Sequence, residues 1–218
     1  MSGSLIVLEG IGGSGKTTSI ARLASECGYV PLTEAGKFDP NFPPHPKSVA
    51  DARRNERFSF GVETDRWACA QEWVREGKTV VADRGPLSTL SISYALTRIG
   101  LFSTYVDAAR DYVNHLSAES FGFPSLTILL LTPPDRALEH MRCRGPCPEA
   151  VPWQTHAALV LQDLFFRRLH SSLAFGFVQS IANTYEEFDQ LYSRILSAII
   201  DLRRTAIEPM VNLHEIER

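Results

Sequence analysis

The run Gly10-Ile11-Gly12-Gly13-Ser14-Gly15-Lys16-Thr17 fits the pattern G-x-x-x-x-G-K-[ST], and its flanks restrict the fold more than any other stretch. Ser4 to Leu8 is apolar and short enough for a buried strand, and Thr18 to Cys27 places Ile20, Leu23 and Ala24 on one helical face. Strand, glycine-rich turn and helix together are the context that makes such a match a phosphate-binding loop. Glycines let successive backbone N–H groups converge on phosphate oxygens, and a helix N-terminus adds partial positive charge. Lys16 is then expected to reach the β/γ-phosphates and the Thr17 hydroxyl to ligate Mg²⁺.

The rest of the chain reads as alternating apolar runs and helical patterns, the signature of a parallel sheet with crossover helices. Further strands are expected at Tyr29–Thr33, Lys78–Ala82, Ser125–Leu131 and Phe177–Ile181. Helical patterns cover about Ser48–Gly77 with a bend, Leu87–Ile99, Tyr105–Ser117, Pro134–Arg142, Thr155–Phe175 and Tyr185–Arg203. Glu34–Lys47 reads as a long irregular loop, and Gly145–Pro152 as a mobile one. One domain is expected over 1–204, with a lid near 142–153 and a tail over 205–218. A chain of 218 residues, 44% hydrophobic, is long enough for one full core.

Composition excludes several classes. A net charge of −3 leaves no basic excess for a nucleic-acid surface. No apolar run reaches membrane-spanning length. The N-terminus enters the first strand directly, which leads us to expect no signal peptide and a cytoplasmic location. Of Cys27, Cys69, Cys143 and Cys147, only the last two are close, with His140 the one further ligand beside them. Free thiols are the expected state.

In a sheet of this kind, ligands sit beyond the carboxyl ends of the strands. Those ends carry the phosphate loop, Glu34, Asp83-Arg84 and the segment after Leu131. Asp83, closing a strand beside the loop, suits a Mg²⁺ contact, and Arg84 then enters the same cleft. Arg142 and Arg144 flank Cys143. They read either as helix C-terminal charges or as lid residues that neutralise a transferred group.

These residues carry a resemblance to the thymidylate kinase family, within the nucleoside monophosphate kinases. Leu8 to Thr18 resembles its phosphate loop. Phe60-Gly-Val-Glu-Thr-Asp65-Arg66 resembles its F-x-x-x-x-D-R helix motif, and Val80-Val81-Ala82-Asp83-Arg84 its D-R-[YH] segment. Leu131 to Gly145 resembles its lid approach, and Ile181 to Glu187 its late strand-to-helix segment. The resemblance implies a three-layer P-loop kinase fold: five parallel strands in order 2-3-1-4-5, helices on both faces, and a short lid. It implies transfer of the γ-phosphoryl group of ATP, with Mg²⁺, to a small-molecule acceptor, dTMP or a modified nucleotide. Gly10, Gly12, Gly13, Ser14, Gly15, Lys16, Thr17 and Thr18 would hold the donor, with Arg142 over it. Thr17 and Asp83 would place the metal; Phe60, Arg66 and Arg84 would meet the acceptor; Arg144 and Arg142 would stabilise the moving group. A homodimer through helices is a further implication, for which Leu87–Ile99 and the helix of Trp67 and Trp73 offer apolar faces that serve equally as core.

The acceptor half departs from the family. Its loop aspartate is Gly12 here, the residue after Asp83-Arg84 is Gly85, and its T-R-E-P-G-G becomes Thr33-Glu34-Ala35-Gly36. Its S-S-x-A-Y-Q run becomes Ser88-Thr89-Leu90-Ser91-Ile92-Ser93. Glu34 opens an alternative: deoxynucleoside kinases have a glutamate after the second strand that takes a proton from a hydroxyl acceptor. Its bland reading is a loop carboxylate paired with Lys37 or an arginine. A third reading, a non-catalytic nucleotide-binding module, would need no acceptor arginines.

Overall fold

The computed structural model describes residues 3–143, 145, 151–169, 177–184 and 187–207. Five parallel strands form one sheet in the order β2-β3-β1-β4-β5. The strands are β1 (Ser4–Glu9), β2 (Val30–Leu32), β3 (Thr79–Asp83), β4 (Leu126–Leu131) and β5 (Val178–Ala182). The helices are α1 (Lys16–Cys27), α2 (Ala35–Phe38), α3 (Val49–Arg75), α4 (Pro86–Arg98), α5 (Tyr105–Ser117), α6 (Pro134–Arg142), α7 (His156–Leu169) and α8 (Phe188–Ile207).

β1 lies at the centre, between β3 and β4, and so is covered on both faces. That is why Leu5 to Leu8 is continuously apolar rather than alternating. Leu5 and Val7 face one core, with side chains of α3, α4, α5 and α7. Ile6 and Leu8 face the other, with side chains of α1 and α8. The two cores and the sheet between them make three layers. Each fully buried Leu or Ile contributes roughly 1.5–3 kcal/mol of transfer free energy. At the sheet edge, β2 pairs only with β3, so Pro31, which has no N–H to give, is tolerated there.

The ends of the helices follow local chemistry. Gly28, at φ 66°, closes α1 in the left-handed region. The Ser48 hydroxyl accepts from the Asp51 N–H at 3.1 Å and caps α3. Pro86 and Pro134 begin α4 and α6, where a missing N–H costs nothing.

Several boundaries move. α1 starts at Lys16, two residues before the expected Thr18, because the loop runs straight into it. The segment expected as wholly irregular holds the short helix α2. The pattern expected over Ser48–Gly77 is one helix: α3 runs unbroken through Arg75, with no proline inside it to break the ladder. α8 continues to Ile207, into the expected tail, and residues 208–218 lie outside the described set. The helix expected to Phe175 is described to Leu169. Trp67 and the apolar face of α4 (Leu87, Leu90 and Leu96) are buried in the core. Cys27, Cys69 and Cys143 are free thiols; Cys147 is outside the described residues.

Candidate active site

The β1–α1 turn is shaped by close approaches. Gly13 has φ 75°, and a Cβ there would lie 2.3 Å from the Ala137 carbonyl oxygen. α6 therefore packs directly on the loop backbone, and only glycine fits. At Gly12 a Cβ would meet only the thioether of Met141, a side chain that can move. Outside contacts hold the loop as well. His140 Nδ1 donates to the Gly13 carbonyl at 3.0 Å, and Asn183 Nδ2 to the Ser14 carbonyl at 3.2 Å.

Lys16 is buried at the start of α1. Its Nζ donates to the carbonyls of Gly10 and Ile11 and to Ser14 Oγ, at 2.8–2.9 Å. Burial, and then the neighbouring Arg84 charge, push its pKa down to about 7. A cation so poorly compensated gains from an anion more than a solvated one does. Next to it, Thr17 Oγ1 donates to Asp83 Oδ2 at 2.5 Å. The other Asp83 oxygen, Oδ1, is buried and has no hydrogen-bond partner. An orphaned carboxylate oxygen beside a hydroxyl is a donor pair that fits Mg²⁺, which takes one or two protein ligands and completes its shell with water and phosphate. Ser14 is buried under the loop; Thr17 and Thr18 are exposed at its mouth.

β3 ends in a turn that is held from two sides. Arg84 has φ 65°, a strained conformation for a residue with a Cβ. From β1, Glu9 accepts from the Gly85 N–H at 2.8 Å and from Ser88 Oγ at 2.5 Å. Glu9 is fully buried, and burial pushes its carboxyl up to about 7 against the pull of Ser88, Arg84 and Lys16. From α3, Arg66 Nη2 donates to the carbonyls of Asp83 at 3.0 Å and Arg84 at 3.2 Å. Arg66 Nη1 pairs with Glu63 at 2.5 Å, with both side chains at most 4% exposed.

The structure thus places Arg66 beneath the Asp83-Arg84 turn rather than in open cleft. Phe60 is 0% exposed, its ring among Tyr112, His115 and Phe121, so it stands in the core and not on the cleft wall. Sequence reasoning gave no role to Glu9 or Glu63. A carboxylate closing an otherwise apolar central strand, and one three residues before a motif arginine, were the available signals.

Beyond the loop opens a cleft of about 330 Å³. Gly12, Glu34, Lys37, Arg84, Ser88, Thr89 and Trp153 are among the residues that line it. Arg84 Nε sits 3.6 Å from Glu34 Oε2, and its Nη1 lies 3.2 Å from Ser88 Oγ. Glu34 Oε1 also pairs with Lys37 at 3.0 Å. Burial raises the Glu34 carboxyl, but Arg84 foremost, with Lys37 and Lys16, outweighs it and holds the group below its ordinary value. Trp153, on the short turn before α7, was not foreseen; Gln162 Nε2 anchors its carbonyl at 2.7 Å. Arg142 ends α6, exposed and next to the Met141 that touches Gly12. Arg144 lies outside the described residues.

No protein-family model matches the sequence, and no curated protein matches it. Solved structures do. A deoxyadenosine kinase from M. mycoides, with dCMP and a flexible dCDP bound, superposes with a TM-score of 0.72 at 13% identity over 90% of this chain and 99% of that one. The same enzyme with dATP gives 0.65 at 14% identity over 90% and 99%. The thymidylate kinase of Candida albicans gives 0.72 at 15% identity over 93% of both chains. The chain has the fold these kinases share.

Proposed function

We propose that this chain is a kinase that moves the γ-phosphoryl group of ATP to a small acceptor of the nucleoside class, and that the acceptor atom is a hydroxyl oxygen. The observation that carries the reading is one continuous arrangement. Gly12 of the glycine loop and the Glu34–Arg84 pair line one cleft, and the Thr17–Asp83 pair joins its two ends, Thr17 in the chain just after the loop and Asp83 just before Arg84. The shared fold with nucleoside and nucleotide kinases supports it.

In this reading the loop amides from Gly10 to Thr18 hold the donor phosphates, and Lys16 exchanges its loop carbonyls for phosphate oxygens. Thr17 and Asp83 would hold Mg²⁺, which supplies charge neutralisation on the donor. Glu34, ionised at neutral pH, accepts the hydroxyl proton as the acceptor oxygen bonds to the γ-phosphorus. The bond from that phosphorus to the bridging oxygen breaks, and ADP leaves. Arg142, with Arg144, is assigned to the moving charge from the lid side. The partner is a small molecule.

A specific observation favours the hydroxyl over a phosphate acceptor. Arg84 already faces Glu34 on one edge and Ser88 on the other, so it is not presented as an open clamp for a dianion. The second reading, a nucleoside monophosphate gripped by Arg84, rests on the Asp83-Arg84 motif. Product ratios over a panel of nucleosides and their monophosphates separate the two. In the hydroxyl reading, nucleosides are phosphorylated and Glu34→Gln lowers that turnover by about 10²–10⁴-fold. Monophosphate turnover that survives Glu34→Gln and is lost in Arg84→Ala would establish the second reading instead. ATP binding with no acceptor-stimulated turnover sinks both.

A further inference from the structure

We propose that Glu9 is a positioning residue for the transfer: through Ser88 it holds Arg84 back from Glu34, so that the Glu34 carboxylate keeps an oxygen open to the acceptor hydroxyl. The inference rests on the hydroxyl-acceptor reading. Arg84 stands between two carboxylates. Its Nε lies 3.6 Å from Glu34 Oε2, an ion pair without a hydrogen bond. On the other edge, Nη1 donates to Ser88 Oγ at 3.2 Å and to the Gly10 carbonyl at 3.4 Å. Ser88 Oγ in turn donates to Glu9 Oε2 at 2.5 Å. Glu9 is fully buried, so it acts on the cleft only through these neighbours.

The direction of this chain of bonds decides what it does. A hydroxyl that gives its proton to a carboxylate is a stronger acceptor for the next donor. Glu9 therefore draws on Arg84 through Ser88, and its charge attracts the guanidinium directly as well. The Glu9 carboxylate is itself fixed, because the Gly85 N–H donates to its other oxygen at 2.8 Å. The Arg84 backbone is fixed too. Its N–H donates to the Leu8 carbonyl at 3.0 Å, and Arg66 holds its carbonyl at 3.2 Å. What remains able to shift is the Arg84 side chain, drawn to Glu9 on one edge and to Glu34 on the other.

Arg66 shows the alternative. It has one carboxylate rather than two: its Nη2 meets carbonyls, and its Nη1 closes on both oxygens of Glu63 at 2.6 and 2.5 Å. In the cleft, a carboxylate gripped in that way would be a poor base, because its lone pairs are taken. Glu34 is spared this. Its Oε1 pairs with Lys37 at 3.0 Å, while Oε2 faces Arg84 across the wider gap. The charges of Arg84, Lys37 and Lys16 keep the group ionised, and the gap leaves a lone pair for the hydroxyl proton.

Structures and rates at pH 8 test this, above the value of about 7 to which burial raises Glu9, so that its charge is present. In crystals of Ser88→Ala and of Glu9→Gln, Arg84 Nε should close to about 2.7–2.9 Å from Glu34. Ser88→Thr, which keeps the hydroxyl, should leave the pair open. Both closing variants should lower kcat with hydroxyl acceptors roughly tenfold, with the KM for ATP within about twofold of the wild type. Ser88→Thr should recover most of that rate. In an Arg84→Met background, Ser88→Ala should change kcat by less than about twofold, whereas a merely structural loss would persist there. If Glu9→Gln does not fold, Ser88→Ala carries the test. An Arg84–Glu34 distance that stays at 3.6 Å in Ser88→Ala, or a closed pair with undiminished kcat, overturns the proposal and spares the kinase reading. A wild-type chain that turns over no hydroxyl acceptor overturns the reading beneath the proposal, and with it the role of Glu9, whatever the distance in the variants.

Discussion

The glycine loop and the cleft proposed for the acceptor are built in opposite ways. The loop is eight consecutive residues whose working groups are mostly backbone, aimed by glycine conformations and the first turn of α1. The cleft is made of side chains from α2, α3, α4 and the turn before α7, joined by contacts such as Ser59 to Thr89 at 2.7 Å and Gln162 to Trp153. A site of backbone groups tolerates little change in sequence. A site of side chains can be re-cut position by position without disturbing the fold. That difference explains why the donor half matches a widespread pattern while the acceptor half departs from the family it resembles.

The largest expected effect tests the loop as the part common to every acceptor. Lys16→Ala should lower turnover with all acceptors by a similar factor, roughly 10³-fold or about 4 kcal/mol. Steady-state rates over the acceptor panel read this directly. A loss confined to some acceptors would break the division between the two regions.

Arg66 is the joint between them, holding the carbonyls of the Asp83-Arg84 turn from inside the core. Arg66→Met leaves Glu63 buried and unpaired, which should cost about 3–5 kcal/mol. In a chain of this length that is a fall in Tm of roughly 6–20 °C. The double change Glu63→Met with Arg66→Met should recover most of that stability in thermal melts. Failure to recover would mean that the hydrogen bonds to the turn, and not the buried charge, dominate.

Gly13 and Gly12 sharpen the comparison within a single loop. Gly13→Ala meets the Ala137 carbonyl from a left-handed backbone and should destabilise by about 1–3 kcal/mol. Gly12→Ala meets only the end of Met141 and should cost about 1 kcal/mol or less. Urea unfolding distinguishes them. Equal costs would show that Gly12 belongs structurally with the donor loop and is not a position open to change.

The smallest effect is on pH dependence. Glu9 keeps its proton to about pH 7 in the folded chain but loses it near 4.5 when unfolded, so its contribution to stability falls as pH rises between those values. Lys16 gives the opposite slope. It is deprotonated above about 7 when folded and protonated to about 10.5 when unfolded, so stability rises with pH across that window. Together they place a minimum near neutrality. Glu9→Gln should remove about 1 kcal/mol of the decline between pH 5 and 7 in urea titrations.

Much of the architecture was readable because it rests on short-range patterns. The apolar run of β1, the glycine loop, Asp83 closing β3 and the proline that starts α6 each declare themselves within a few residues. Other features depended on tertiary contacts. Phe60 and Arg66 read as acceptor contacts from their motif, yet the residues around them close over both. Trp153 lies about 120 residues beyond Glu34, and no local pattern joins them.

The sequence by itself determined the sheet, the glycine loop after its central strand and the convergence of Lys16, Thr17 and Asp83 at one end of it. Hydrophobic period, glycine freedom and strand polarity are properties of the chain over a few residues at a time. Only the tertiary structure decided that Arg84 pairs with Glu34, and that Glu9 and Arg66 brace the turn that carries Arg84. Those facts depend on which side chains of distant elements share one volume, and burial and pairing energies exist only once that volume is closed.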